Sequence, residues 1–264
     1  MTCERRRAVL TSESSSCDGC AELWYARADE TVSDRDLARA REILSPDELE
    51  RIGRFHFETD RRQFLLAHAL VRMLLSRWAP VAPDAWVFTA DGYGKPSVAA
   101  PREWRHLQFN LAHTRGLVAC VVAPGRRVGV DVEARRPGTN LRRIADQFLT
   151  PQELRALDAL PSAAQTGAFL DYWTLKEAYV KARGDGLSLP LDRFWFELDA
   201  DDTPRIRFAA TLEDVAAEWQ FVRFRPSADH WMAAAVHAGS GPVVSLTCRQ
   251  VAPAVLRGQE GSGD

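Results

Sequence analysis

Apolar side chains recur at three- to four-residue intervals across residues 60–78, where Phe64, Ala67, Val71, Leu74, Leu75 and Trp78 share one face and Arg61, Arg62, Arg72 and Arg77 fall largely off it. That spacing predicts a long amphipathic helix, closed by Pro80 and Pro83. A strand over 22–27 and short helices after Ser33 and after Ser45 are expected before it; Ser45-Pro46-Asp47-Glu48 reads as a helix start with proline in the first turn. Three extended stretches follow at 86–89, 107–110 and 117–123, separated by turns bearing glycine and proline. From Arg127 the order recurs: a strand over 128–133, short helices near 140–148 and 151–160, a longer one through 169–183, and strands near 194–198, 205–208, 218–224 and 231–237. No residue-level repeat accompanies it. The element order alone predicts two similar α+β halves joined near residues 124–127, with ligands expected at the seam. The expected division is a flexible segment 1–20, a first half 21–126, a second half 127–252 and a flexible tail 253–264.

The 264 residues are 46% hydrophobic and 27% charged, enough for an ordinary globular core and against general disorder. Lys and Arg number 34 against 36 Asp and Glu, so a surface built for nucleic acid is excluded and any phosphate site must be local. The longest apolar run, 117–123, is too short to span a bilayer, and the basic start Glu4-Arg5-Arg6-Arg7 leads into no apolar signal segment. A cytoplasmic protein with no membrane partner is expected. Of five cysteines only Cys17 and Cys20 stand at metal-like spacing, with no second ligand pair nearby, so zinc and redox chemistry are set aside.

Four segments carry candidate chemistry. Val128-Gly129-Val130-Asp131-Val132-Glu133 places two carboxylates at i and i+2 of an apolar strand, hence on one face. Such a pair is either a solvent-facing strand end or a site that holds something positive, because adjacent carboxylates repel. In Trp173-Thr174-Leu175-Lys176-Glu177-Ala178-Tyr179-Val180-Lys181, a helical path puts Trp173, Glu177 and Lys181 on one face. Glu177 and Lys181 form either an ordinary ion pair, worth about 0.2–0.5 kcal/mol, or part of a hard-oxygen site in which Glu177 is a third carboxylate for Mg²⁺. Gly92-Tyr93-Gly94-Lys95-Pro96 is a glycine-rich turn; Pro96 stands where a Walker A loop needs Ser or Thr, which leaves a hairpin turn. In Phe109-Asn110-Leu111-Ala112-His113-Thr114, His113 either satisfies a backbone group or donates to an anion. The chain contains no Gly-x-Ser-x-Gly, His-Glu-x-x-His or Gly-x-Gly-x-x-Gly, which argues against a serine hydrolase, a zincin and a dinucleotide oxidoreductase.

Gly94-Lys95-Pro96, Phe109-Asn110-Leu111-Ala112-His113, the strand segment 128–133 and the helix segment 173–181, in this order and spacing, closely resemble the signatures of the 4′-phosphopantetheinyl transferase family. Gly184-Asp185-Gly186-Leu187-Ser188-Leu189-Pro190-Leu191 resembles the loop that follows the second signature there. The resemblance runs from about residue 23 to 236, and the length fits the larger surfactin-synthetase-activating type, a two-lobed monomer, better than the short trimeric type. It implies an α+β fold made of a pseudo-twofold pair of similar halves, each a long helix packed on a mainly antiparallel sheet, with the active site at their interface. It further implies that coenzyme A binds there and that Mg²⁺ bridges its pyrophosphate to Asp131, Glu133 and Glu177. A serine of an acyl- or peptidyl-carrier protein would attack the pantetheine-side phosphorus and release 3′,5′-ADP.

By the same resemblance, Lys181 contacts the pyrophosphate and stabilises the leaving group, and Glu177 also helps deprotonate the serine. Lys95 and Pro96 border the adenine, and His113 faces the 3′-phosphate. Arg51, Arg54, Arg61 and Arg62 are further phosphate contacts, with solvated helix faces the alternative for at least two of them. Ala112 stands where many relatives carry Ser, and Glu48 where relatives often carry Lys; both imply weaker coenzyme A binding. The carrier-facing surface is expected after Gly138 and at exposed Phe148 and Leu149. Two alternatives share these residues: a Mg²⁺-dependent hydrolase of coenzyme A or nucleotide diphosphates, and a coenzyme A- or carrier-binding module without turnover. The presence of Asp131, Glu133, Glu177 and Lys181 together speaks against the module.

Overall fold

The computed structural model describes residues 19–29, 32–136, 141–198 and 203–252; of the flexible ends expected at 1–20 and 253–264, residues 1–18 and 253–264 lie outside the described residues, and Cys20 already belongs to the first strand. The chain divides into two compact units: one contains Arg127–Val244, and the other runs up to Arg126 and resumes at Ser245. No helix among the described residues is long and apolar enough to cross a membrane.

The first unit strings together β1 (Cys20–Arg27), α1 (Asp34–Glu42), α2 (Pro46–Gly53), α3 (Glu58–Trp78), β2 (Val87–Ala90), β3 (Pro96–Ala100), β4 (Leu107–Thr114) and β5 (Leu117–Pro124). Ser33 and Ser45 cap α1 and α2 by accepting the amides of Asp36 and Glu48. The apolar face expected over 60–78 is the one α3 buries: Phe64, Ala67, Val71, Leu74 and Leu75 are nearly inaccessible and pack toward β4 and β5. β5 pairs antiparallel with both β1 and β4, and its run 117–123 is wholly buried, as an unbroken apolar strand in the middle of a covered sheet requires.

The second unit follows the same plan with β6 (Val128–Ala134), α4 (Leu141–Phe148), α5 (Pro151–Asp158), α6 (Ser162–Arg183), β7 (Phe194–Leu198), β8 (Pro204–Phe208), β9 (Trp219–Ser227) and β10 (His230–His237). β6, β10 and β9 form an antiparallel sheet in that order, α6 packs on β6 and β10, and β7 and β8 make a separate hairpin. α6 begins at Ser162 rather than at residue 169. Its first turns, Ser162-Ala163-Ala164-Gln165, carry no apolar stripe to announce them, yet nothing after Pro161 interrupts the helix before Gly184 in the left-handed region.

Two strands escape the apolar pattern. β3 follows the Gly94 turn, where φ is +84° and Lys95 N–H donates to Asp91 Oδ1, so the segment 92–96 is the hairpin turn expected from its glycines. β11 (Ser245–Gln250) is polar and only half-buried, and it pairs in parallel with β1 to complete the order β11-β1-β5-β4. Residues 245–252 therefore join the first unit's sheet and not the second half to which the sequence assigns them. Pairing here is made by backbone groups, which side-chain periodicity does not report. Cys20, at the start of β1, is disulfide-bonded, a pairing that the sparse cysteine set did not suggest.

Glu48 is occupied structurally rather than facing a ligand. Its Oε2 accepts from Ser45 N–H at 2.8 Å, closing a capping box, and from Arg72 Nη2 at 2.7 Å; Oε1 meets His68 Nδ1 at 2.7 Å. Arg72, 1% exposed, also donates to the carbonyls of Pro83 and Trp86. Burial works against the Glu48 charge, but His68, the Ser45 amide and Arg72 together bring its pKa down to about 2. A carboxyl more acidic in the folded than in the unfolded chain contributes stability that is full above pH 4.5 and disappears as pH falls toward 2. Glu48→Gln should lower the unfolding free energy at pH 7 by on the order of 3 kcal/mol, and urea titrations at pH 7 and pH 3 should show the gap narrowing at the lower pH.

Candidate active site

Gly129 sets the distance between strand and helix. A Cβ at this position would stand 2.1 Å from the Ala178 carbonyl oxygen and 2.5 Å from the Ala182 amide nitrogen, both backbone atoms of α6, so only glycine permits the approach. Ala178 and Ala182 are fully buried. Glu177 and Lys181 each precede one of these alanines, while Asp131 and Glu133 follow Gly129 on the same face of β6. The contact of three small residues thus brings the charged side chains of helix and strand together.

Lys181 Nζ lies 2.6 Å from Asp131 Oδ1. Asp131 Oδ2 is buried and has no hydrogen-bond partner among the described residues. Arg136 stands 3.9 Å from the Glu133 carboxylate, and Arg136 and the Trp173 indole both favour its charged form. Burial, and next the charge of Asp131, push the Glu133 and Glu177 carboxyls above their ordinary value; Lys181 pulls both back only in part. Burial also disfavours the Lys181 ammonium, but Asp131, with Glu177 and Glu133 behind it, more than offsets this and raises its pKa. When all are ionised, three carboxylates face the Lys181 ammonium and, at 3.9 Å, the exposed Arg136 guanidinium, which leaves the cluster net negative in a partly desolvated place. Among the described residues no group of three His, Cys, Asp or Glu side chains is already gathered tightly enough to hold an ion.

On the buried side of α6 lies an ion pair that the sequence reading did not anticipate. Lys176 and Glu153 are both essentially inaccessible, 3.0 Å apart. Lys176 also donates to the carbonyls of Leu191 and Phe194 at 2.7 Å each; Glu153 accepts from Phe196 N–H and from the amide and hydroxyl of Thr150, the residue that caps α5. Every polar atom of the pair is satisfied, the condition under which a buried pair survives. Thr150-Pro151-Gln152-Glu153 is a capping-box signature, and it was the available signal for Glu153. The pair fixes the rotation of α6, and with it the side from which Glu177 emerges.

The remaining expected contacts belong to the first unit. Arg62 donates to the carbonyls of Asp29 and Val32, Arg61 to that of Phe55, and Arg54 pairs with Glu50 on an exposed helix face. Arg51 lies over the Phe64 ring and has no carboxylate partner among the described residues. His113 is exposed on β4, Ala112 is buried beside it, and Lys95 is half-buried next to Pro96 at the start of β3. Of the expected carrier-facing residues, Gly138 lies outside the described residues. Leu149, just past α4, is buried, and Phe148 at its end packs edge-on against Trp173 at 5.2 Å, so neither is the exposed apolar residue that the sequence suggested.

Residues 127–235 match the 4′-phosphopantetheinyl transferase superfamily, and residues 31–125 match the family of 4′-phosphopantetheinyl transferase N-terminal segments. The chain is 33% identical over 220 residues to the 4′-phosphopantetheinyl transferase HetI of Nostoc sp., covering 83% of this chain and 88% of that protein. It is 31% identical over 173 residues to the 4′-phosphopantetheinyl transferase Sfp of Bacillus subtilis, covering 66% and 75%. A crystal structure of a holo-(acyl-carrier-protein) synthase from Bacillus anthracis in complex with CoA (3′,5′-ADP) aligns with a TM-score of 0.36 at 20% identity, over 41% of this chain and 92% of that one.

Removing one partner of the buried pair leaves the other charged and unsolvated. Lys176→Met should destabilise the chain by about 3–5 kcal/mol, measured as a lowered midpoint in chemical denaturation, whereas Lys176→Met combined with Glu153→Gln should recover part of that loss.

Proposed function

The chain belongs to the 4′-phosphopantetheinyl transferase superfamily, and from that premise we propose how its own residues carry the reaction. 4′-Phosphopantetheine passes from coenzyme A to a serine of an apo acyl- or peptidyl-carrier protein, and adenosine 3′,5′-bisphosphate leaves. Asp131, Glu133 and Glu177 would hold a divalent cation, Mg²⁺. The observation that supports this most is the divided state of Asp131: Oδ1 is engaged by Lys181, while Oδ2 is buried without a hydrogen-bond partner among the described residues. A buried acceptor in that condition costs about 1–3 kcal/mol until something positive reaches it, and three carboxylates of hard oxygen donors suit a divalent ion. Bound there, Mg²⁺ would neutralise charge on the diphosphate and polarise the phosphorus under attack.

Lys181, kept cationic by its acidic neighbours, is the side chain suited to bind the diphosphate and to offset charge on the departing phosphate. Glu177, with its carboxyl basicity raised by burial, is suited to take the serine proton, directly or through a water. Lys95, Pro96 and His113 are assigned to the adenine and 3′-phosphate. Among Arg51, Arg54 and Arg62, Arg51 is best able to take a phosphate because no carboxylate competes for it among the described residues. We read the protein as a cytoplasmic monomer.

Incubating the protein with an apo carrier domain, coenzyme A and Mg²⁺, then weighing the carrier, tests this directly. The carrier should gain one phosphopantetheine. Cleavage of coenzyme A with no gain in carrier mass would replace the transferase by a hydrolase, and intact coenzyme A would leave a binding module. Asp131→Ala should abolish metal-dependent transfer, and Lys181→Ala should depress kcat far more than carrier affinity; near-normal turnover in the first variant would remove the metal assignment.

A further inference from the structure

The catalytic face of the second unit continues past Glu133. β6 and β10 are in register so that Glu133 lies opposite Trp231, and on α6 the residues Asp171 and Gly167 stand about 9 and 15 Å along the axis from Glu177 at 1.5 Å per residue. Here a pocket of about 400 Å³ opens, lined among others by Arg135, Leu160, Gly167, Asp171, Arg225 and Trp231.

Its chemistry is lopsided. Asp171, 5% exposed, is the single carboxylate in the lining, and its Oδ2 already accepts from Arg223 Nη1 at 2.9 Å and Arg225 Nη2 at 3.0 Å. Arg225 lies over the Trp231 ring at 4.2 Å with nearly half of its side chain exposed. Trp231 is only 3% exposed, and its Nε1 finds no acceptor among the described residues. Arg135 is exposed and has no carboxylate partner among the described residues. Two guanidiniums, Arg135 and Arg225, and an indole N–H thus line the pocket with a single carboxylate, which Arg225 and, from outside the lining, Arg223 already engage, so the pocket has more donors than acceptors. The group that corrects this is a carboxylate, which arginine engages in two parallel hydrogen bonds.

We propose that this pocket receives an acidic side chain from the surface of the carrier protein, beside the serine to be modified. The proposal rests on the transferase reading above. A protein that delivers a serine to Glu177 must cover the adjoining turns of α6, and the wide, shallow pocket lies in that path. A small anion in so open a place would stay hydrated, whereas a side chain presented by a docked protein arrives with its position already restricted.

Two variants test it with opposite structural effects. Arg135→Glu removes a donor at an exposed position. Gly167→Asp places a carboxylate on a Cβ that would lie 3.4 Å from Arg225 Nη2, giving the pocket an internal occupant. Both should raise KM for the apo carrier about tenfold, keep KM for coenzyme A within twofold, and leave the thermal midpoint unchanged or, for Gly167→Asp, higher. Among carriers with one surface Asp or Glu at a time changed to Lys, one should lose affinity for the wild-type enzyme and regain it with Arg135→Glu. An unchanged carrier KM in both variants, a parallel rise in KM for coenzyme A, or the absence of any such compensating carrier would overturn the docking role. The wild-type mass assay judges the transferase reading separately. If it fails, direct titration of labelled carrier against wild type and Arg135→Glu still decides, equal binding counting against the pocket.

Discussion

The second unit depends on a side chain that is missing. With hydrogen at Gly129, the backbone of α6 lies against β6 closely enough that a Cβ would overlap two of its atoms. Everything ionic in the site inherits that spacing. Lys181 reaches Asp131 at 2.6 Å, and the charge of Asp131, adding to burial at Glu133 and Glu177 and opposing it at Lys181, helps raise the pKa of all three. A helix held farther from the strand by ordinary core side chains would separate these groups and let water screen them. The Lys176–Glu153 pair supplies the remaining constraint, rotation, from the opposite side of the same helix.

The first unit contains a counterpart that has taken another course. Glu22 on β1 meets Arg77 near the C-terminal end of α3, much as Asp131 on β6 meets Lys181 near the end of α6. Glu22 also accepts from the Trp24 indole at 2.8 Å and has Arg249 of β11 at 3.6 Å, so cations and donors surround it. Asp131 has one oxygen left over and two more carboxylates for company. The same plan of strand carboxylate and helix cation yields a neutralised structural cluster in one unit and an electron-rich, unfinished one in the other. Chemistry is expected where the charge does not close.

What was legible in the sequence follows the same physics. The apolar stripe of α3 and the run of β5 were visible because burial selects side chains. The grouping of the β6 carboxylates, and that of Glu177 with Lys181, were visible because i+2 spacing along a strand and i+4 spacing along a helix each define a face. β3 and β11 were not, since their place is set by backbone hydrogen bonds made by polar or proline-bearing segments. The start of α6 was hidden because alanine and serine mark no face. Glu48 was legible only as an acidic residue where relatives often carry lysine; its tie to a buried arginine spans 24 residues of chain, beyond any local spacing, while its helix cap lies in the Ser45-Pro46-Asp47-Glu48 start. Lys176, one residue before Glu177, points the other way into a saturated network, and its partner Glu153 lies too far along the chain for any local spacing to join them.

The return of β11 to β1 also orders events in time. β1 is complete once residue 27 has been made, but the strand that covers its outer edge begins at Ser245, after the whole of the second unit. On the ribosome, an apolar strand with unpaired N–H and C=O groups therefore waits through the synthesis of more than two hundred residues. Closing that ladder joins the first and last strands of the described residues, a contact of high sequence separation and so a slow one. The first unit to emerge is the last to be finished, and its exposed edge is the interval in which this chain is most open to pairing with another copy of itself.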